Sequence, residues 1–160
     1  NDLAMAVGIA TLEVIESEGL MQNAERTGAR LLAAFERMSP RHELVKEVRG
    51  KGLMIGIEFG SPRSLKLKAS WNLLETANSG LFCQLIVIPL LKEHRILSQV
   101  AGHGNHTIKL LPPLIISDED CDWIERSFET VISDAHRVPG AIWSLGKTLV
   151  ENAARARARG

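Results

Sequence analysis

The sequence predicts an α+β domain, a small and mostly antiparallel sheet with helices packed on one face. Three observations point there. Apolar residues recur at helical spacing before Met38 and again after Ser117, while shorter apolar stretches at residues 53–59 and 107–111 read as strands. Glycine-rich segments sit beside both strands. The length of 160 residues, 45% hydrophobic and 24% charged, suits one compact core.

Residues 3–15 place Leu3, Val7, Ala10, Val14 and Ile15 on one helical stripe, with Asp2 as cap or dipole partner and Gly19 closing the element. Residues 20–38 repeat the pattern. Leu20, Ala24, Leu31, Phe35 and Met38 form one face, Glu25, Arg26, Arg30, Glu36 and Arg37 the other, and Pro40 ends the helix. Gly28 inside it costs about 1 kcal/mol against alanine, so close packing against another backbone is its expected role.

From residue 44 the period changes. Val45 and Val48 flank charges, Arg49-Gly50-Lys51-Gly52 interrupts, and Leu53 to Phe59 follows as an apolar strand, giving a β-hairpin or a strand with a glycine bend. Gly56 within that strand marks a bulge or a tightly packed neighbour. Glycines beside Arg49 and Lys51 are compatible with a phosphate cradle, but no helix start follows them, which argues against that use.

After the Gly60-Ser61-Pro62 turn, Leu65, Leu67, Ala69, Trp71, Leu73, Leu74 and Ala77 predict a helix up to Gly80. The run 81–91 is the most apolar in the chain. Pro89 argues against a central strand and Lys92-Glu93-His94 reads as a helix end, so a buried helix is expected. Residues 95–100 are a strand candidate, Gly102 to His106 a turn, and 107–111 a second strand able to pair with the first. Pro112 and Pro113 stop it. Ser117 with Asp120 makes a capping-box start worth about 1 kcal/mol, and Cys121, Ile124, Phe128, Val131, Ile132 and Ala135 follow at helical spacing. Pro139-Gly140 breaks this helix, and a last one is expected over 141–156 with a fraying arginine-rich end.

Nineteen basic residues balance nineteen acidic ones, so no overall field favours nucleic acid or an anionic membrane. Cys83 and Cys121, far apart in apolar contexts, read as reduced core thiols of a cytoplasmic protein. No apolar run approaches the roughly 18 residues of a spanning helix. His103 and His106 in a glycine loop lack acidic or cysteine companions, so solvent-facing histidines are favoured over a metal site. Gly146-Lys147-Thr148 echoes the end of a phosphate-binding loop, but its preceding glycine is misplaced. The residue that stands out is Lys109, the one charge between Thr107 and the two prolines, either snorkelling to solvent or presented to an anion.

Two motifs in order, Val48-Arg49-Gly50-Lys51-Gly52-Leu53-Met54-Ile55-Gly56-Ile57-Glu58 and Ile108-Lys109-Leu110-Leu111-Pro112-Pro113-Leu114-Ile115-Ile116-Ser117-Asp118-Glu119-Asp120, resemble the C-terminal small domain of class III pyridoxal-phosphate-dependent aminotransferases. The opening Asn1-Asp2-Leu3-Ala4-Met5-Ala6 is similar to the start of that family's long interdomain helix. The resemblance assigns residues 1–138 to the small domain, with 1–38 including the interdomain helix, and leaves 139–160 as a helical extension. It implies a transaminase moving an amino group from an amino acid, ω-amino acid or diamine to a 2-oxo acid, in a homodimer. Its Schiff-base lysine, pyridine-pairing aspartate and phosphate turn would precede Asn1. The chain alone is therefore expected to be inactive and to bind no pyridoxal phosphate, the cofactor belonging to the intact enzyme with its large domain. Of the motif residues, Arg49, Gly50, Gly52, Pro112, Pro113 and Ser117 are expected to be structural. At the position of Lys109 relatives commonly place an arginine that meets a substrate carboxylate; lysine offers one compact charge in place of a bidentate fork. A stand-alone, non-catalytic interaction module is the other expectation.

Overall fold

In the computed structural model, residues 1–77, 79–102, 104–137, 139–140, 142–144, 146–148 and 151 are described. Helix α1 (Asp2–Ser17) is capped by Asn1, whose Oδ1 accepts from the Leu3 and Ala4 amides; Asp2 stands in the first turn, favourable to the helix dipole but not the cap. Gly19, at φ +62°, turns the chain into α2 (Leu20–Met38), and a single 3₁₀ turn at Ser39–Arg41 leads to the sheet.

Strand β1 (Val45–Lys51) does not stop at Arg49 as the glycines suggest. It runs through Arg49, Gly50 and Lys51 and pairs antiparallel with β2 (Met54–Phe59), Lys51 opposite Met54, so the connection is the two-residue turn Gly52-Leu53. Gly52 has φ +53° at the first turn position, where hairpins of this length favour glycine. Gly28 of α2 meets this turn: a Cβ at Gly28 would fall inside the Gly52 carbonyl, the close backbone approach that the sequence anticipates.

Helix α3 (Leu65–Ala77) and α4 (Leu81–His94) follow, α4 continuing past Pro89 as a helix whose Phe82, Cys83, Leu85 and Ile86 are buried. Arg95 closes α4 in the left-handed region at φ 59°, and therefore does not begin a strand. Strand β3 is reduced to Gln99–Val100, paired with β4 (Thr107–Leu110). The sheet order is β1-β2-β4-β3, all antiparallel, so the two sequence-distant motifs lie side by side at its centre. Helix α5 (Asp118–Ala135) has the complete capping box: the Ser117 amide donates to Asp120 Oδ2 at 3.0 Å and the Asp120 amide to Ser117 Oγ at 3.1 Å.

Helices α2 and α4 contact the sheet, and α5 packs on both. Ile55, Ile57, Phe59, Ile108 and Leu110 supply the sheet's buried face; Phe59 with Phe82 (5.4 Å) joins it to α4, and Phe35 with Phe128 (5.1 Å) joins α2 to α5. Ile142 and Trp143 enter the same core, the Trp143 indole donating to the Ala135 carbonyl at 2.8 Å. Residues 141, 145, 149, 150 and 152–160, and hence most of the helix expected at 141–156, lie outside the described residues.

Candidate functional site

The register builds the site. Gly56 pairs with Arg49 on one side and Lys109 on the other, and Lys109 pairs with Gln99 beyond it. Because strand side chains alternate, Glu47, Arg49, Glu58 and Lys109 share the sheet face opposite the core. Gly56 leaves a notch between two cations: the atoms nearest to a Cβ there would be Thr107 Cγ2 at 3.3 Å and the Arg49 stem and carbonyl oxygen, each at 3.9 Å. It makes no bulge in the β2–β4 ladder, so the tight-neighbour expectation is the one the structure bears out.

The two cations are not equivalent. Arg49 is held by Glu58 (2.6 Å) and Glu47 (3.3 Å), and these bonds to the charged form keep its guanidinium pKa raised. Lys109 takes no part in that network and is half-buried, whereas the other lysines among the described residues are exposed.

The corner after β4 is fixed from a distance. Asn23 of α2 donates its amide to the carbonyls of Leu114 (2.8 Å) and Ile116 (3.0 Å), and Arg26 donates to Asn23 and to Asp118. Arg30 also binds Asp118 and Asp122. Arg26, then Arg30, hold the Asp118 carboxyl below the usual range, and the Ser117 hydroxyl does the same for Asp120. Sequence reasoning misses Asn23, because nothing local signals a partner 91 residues away.

The remaining sequence candidates fall into structural roles. Gly50 lies within β1, where a Cβ would press on the Met54 carbonyl at 2.6 Å. Pro112 and Pro113 end β4 and line a cleft with Trp123. His103 lies outside the described residues, while His106 meets Glu75 at 3.2 Å and stacks near Trp71. Cys83 and Cys121 are buried free thiols, and burial pushes the Cys83 thiol up to about 12, leaving it protonated and inert at neutral pH. Among the described residues no single helix is long and apolar enough to cross a membrane.

The chain is thus an α+β unit whose four-stranded antiparallel sheet carries Lys109, half-buried, on its open face. Residues 1–132 match the family model described as aminotransferase class-III. The chain belongs to the class III aminotransferase family, whose members depend on pyridoxal phosphate. It is 36% identical to a diaminobutyrate–2-oxoglutarate aminotransferase of Rhizobium meliloti (strain 1021), over 78% of this chain and 25% of that protein. It is 34% identical to an ornithine aminotransferase of Bacillus cereus (strain Q1), over 83% of this chain and 27% of that protein. The solved ornithine δ-aminotransferase of Plasmodium falciparum superimposes with a TM-score of 0.65 at 27% identity, covering 84% of this chain and 30% of that one. The chain thus spans about a quarter of the length of the curated relatives it matches.

Pyridoxal phosphate requires a lysine for its aldehyde, a carboxylate for its ring nitrogen and a cradle for its phosphate. The described residues do not fit it by themselves. Their one half-buried lysine, Lys109, lies on an open sheet face, and the carboxylates there are engaged by Arg49.

Proposed function

We propose that this chain is the substrate-side small domain of a pyridoxal-phosphate-dependent transaminase that moves an amino group from an amino acid, ω-amino acid or diamine to a 2-oxo acid. The observation that carries the reading is Lys109, half-buried, outside the Arg49 network and beside the notch at Gly56. It attracts a substrate carboxylate as a single point charge, where an arginine would bind through a fork. Weaker carboxylate orientation favours donors whose reacting end lacks a carboxylate, such as diamines and ω-amino acids. The cofactor lysine and phosphate site belong to the rest of the enzyme. The exposed apolar surface of α1, including Leu3, Val7, Ile9 and Leu12, packs there or against a second subunit of a homodimer.

The test is amino transfer by the full-length gene product supplied with pyridoxal phosphate, with diaminobutyrate, ornithine or 4-aminobutyrate as donor and 2-oxoglutarate as acceptor. Lys109→Ala is expected to raise KM for one substrate about tenfold or more, the size of a lost charged hydrogen bond, with Lys109→Arg restoring it. Unchanged kinetics in Lys109→Ala would return Lys109 to a snorkelling role. Absence of transfer with every pair would favour a non-catalytic module. Titrating pyridoxal phosphate into the 160-residue chain alone should give no aldimine absorbance.

A further inference from the structure

Beside the row that holds Lys109 lies a second row of a different chemistry on the same sheet face. Lys51 pairs with Met54, and the β2–β4 register, with Ile55 opposite Leu110, runs on to set Leu111 beside Met54. Leu97, two residues before Gln99, which pairs with Lys109, lines the same cleft as Leu111. Exposure follows the alternation: Ile96 and Ser98 are buried, while Leu97 is 77% exposed, Leu111 58% and Met54 63%. Three large apolar side chains thus form an open shelf one row from Lys109, with the exposed Lys51 beside Met54 in the same row. Leu97 and Leu111 are also the lip of a cleft of about 450 Å³, whose walls include Pro112, Ile116 and Trp123. That volume is in the range of small-molecule sites.

We propose that this shelf and cleft form a chain-binding subsite. The substrate class is then amphipathic: a carboxylate held at Lys109 and an unbranched alkyl chain laid over Leu111 toward the cleft. Charge complementarity selects this occupant, because a purely apolar partner would leave Lys109 desolvated without a counter-charge. Reach is consistent too. Lys109 and Leu111 are two residues apart on an extended strand, roughly 7 Å, about the span of five methylenes. A chain half-covered by the shelf gains about twofold in affinity per methylene, half the free energy of full burial. The inference rests on the transaminase reading for its place in a reaction, but the subsite is measurable without turnover.

Calorimetric titration of the full-length gene product with butyrate and octanoate tests it. Octanoate is expected to bind about fifteenfold more tightly over its four extra methylenes. The double variant Leu97→Ser, Leu111→Ser should remove most of that gain, and Lys109→Ala should weaken both acids alike. Leu97 and Leu111 are exposed and Lys109 stands half-buried on the open sheet face, so a thermal melt close to that of the parent is expected and certifies the variants. Equal affinity for the two acids, or a gain that survives the double variant, overturns the proposal and assigns the shelf to contact with another part of the enzyme. Chain-length discrimination without any amino transfer would leave the subsite standing and remove the transaminase reading. Transfer without discrimination would do the reverse.

Discussion

Helices α1 and α5 are similar in length and both carry a side-chain cap at the N-terminus, yet they occupy opposite environments. In α5 the apolar residues Cys121, Ile124, Phe128, Val131, Ile132 and Ala135 fall on one stripe and all are buried. In α1 the apolar residues are more numerous but spread around the axis, and none is buried; Leu3, Met5, Ile9 and Leu12 are all at least 59% exposed. Periodicity, not apolar content, decides which helix a domain of this size can cover. A helix apolar on several sides is normally enclosed, and the described residues leave α1 uncovered.

The largest effect that would break this contrast lies in α5. Phe128→Ala removes a fully buried ring packed on Phe35 and should cost about 3–5 kcal/mol in chemical denaturation of the chain. A loss near zero would mean that α5 is not the central helix. Next comes the α5 start: Ser117→Ala takes away the acceptor of the Asp120 amide and should cost about 1 kcal/mol.

A pH effect tests the far end of α5. His136 Nε2 accepts from the Leu44 amide at 3.3 Å, and Nδ1 donates to the Ile132 carbonyl at 2.8 Å, so the ring is neutral in the fold. Burial lowers its pKa from 6.5, the nearby His42 ring acting in the same direction and Glu43 against it. A depressed folded pKa means that the unfolded chain takes up the proton first. Stability is therefore complete above about 6.5 and falls as the pH drops below it. His136→Gln should flatten that decline when unfolding is followed from pH 7.5 to 5.5. A second decline belongs to Glu43, whose carboxyl is lowered from 4.5 by Ser64 and Arg63, and it begins only near that value. The smallest effect belongs to α1. Ile9→Ser should change the stability of the chain by less than about 0.5 kcal/mol, and a larger loss would show that the domain itself holds α1.

Much of the fold was legible in the sequence because its signals are local. The capping box at Ser117, the proline stop at Pro112 and Pro113, and the amphipathic stripe of α2 each depend on residues within a few positions of one another. Gly28 also announced a close backbone contact, though not its partner. What stayed hidden is what depends on pairing. Gly50 and Gly52 look alike in the sequence, yet only Gly52 turns the chain, because the register and not the glycine sets where β1 ends. Residues 95–98 carry strand-like character, but Arg95 is used to close α4. For the site, Lys109 was conspicuous as a lone charge. Its neighbour Gly56 on β2, and Arg49 beyond it on β1, come from 50 to 60 positions earlier, and no local pattern places them there. Asn23 is hidden for the same reason.

The contact between Gly28 and Gly52 sets a limit on how this chain can vary. Most tight contacts can be rescued by shrinking one side when the other grows. Here both positions already hold the smallest side chain, and their backbones touch. Enlarging Gly28 leaves no reciprocal substitution, only separation of α2 from the hairpin that carries Arg49 and Gly56, whereas a Cβ at Gly52 would meet nothing closer than the Ala24 carbonyl at 3.7 Å and is disfavoured by the φ of +53° instead. A mutational library built on this scaffold loses nothing by holding both positions fixed, and diversity is better placed on the rows around Lys109.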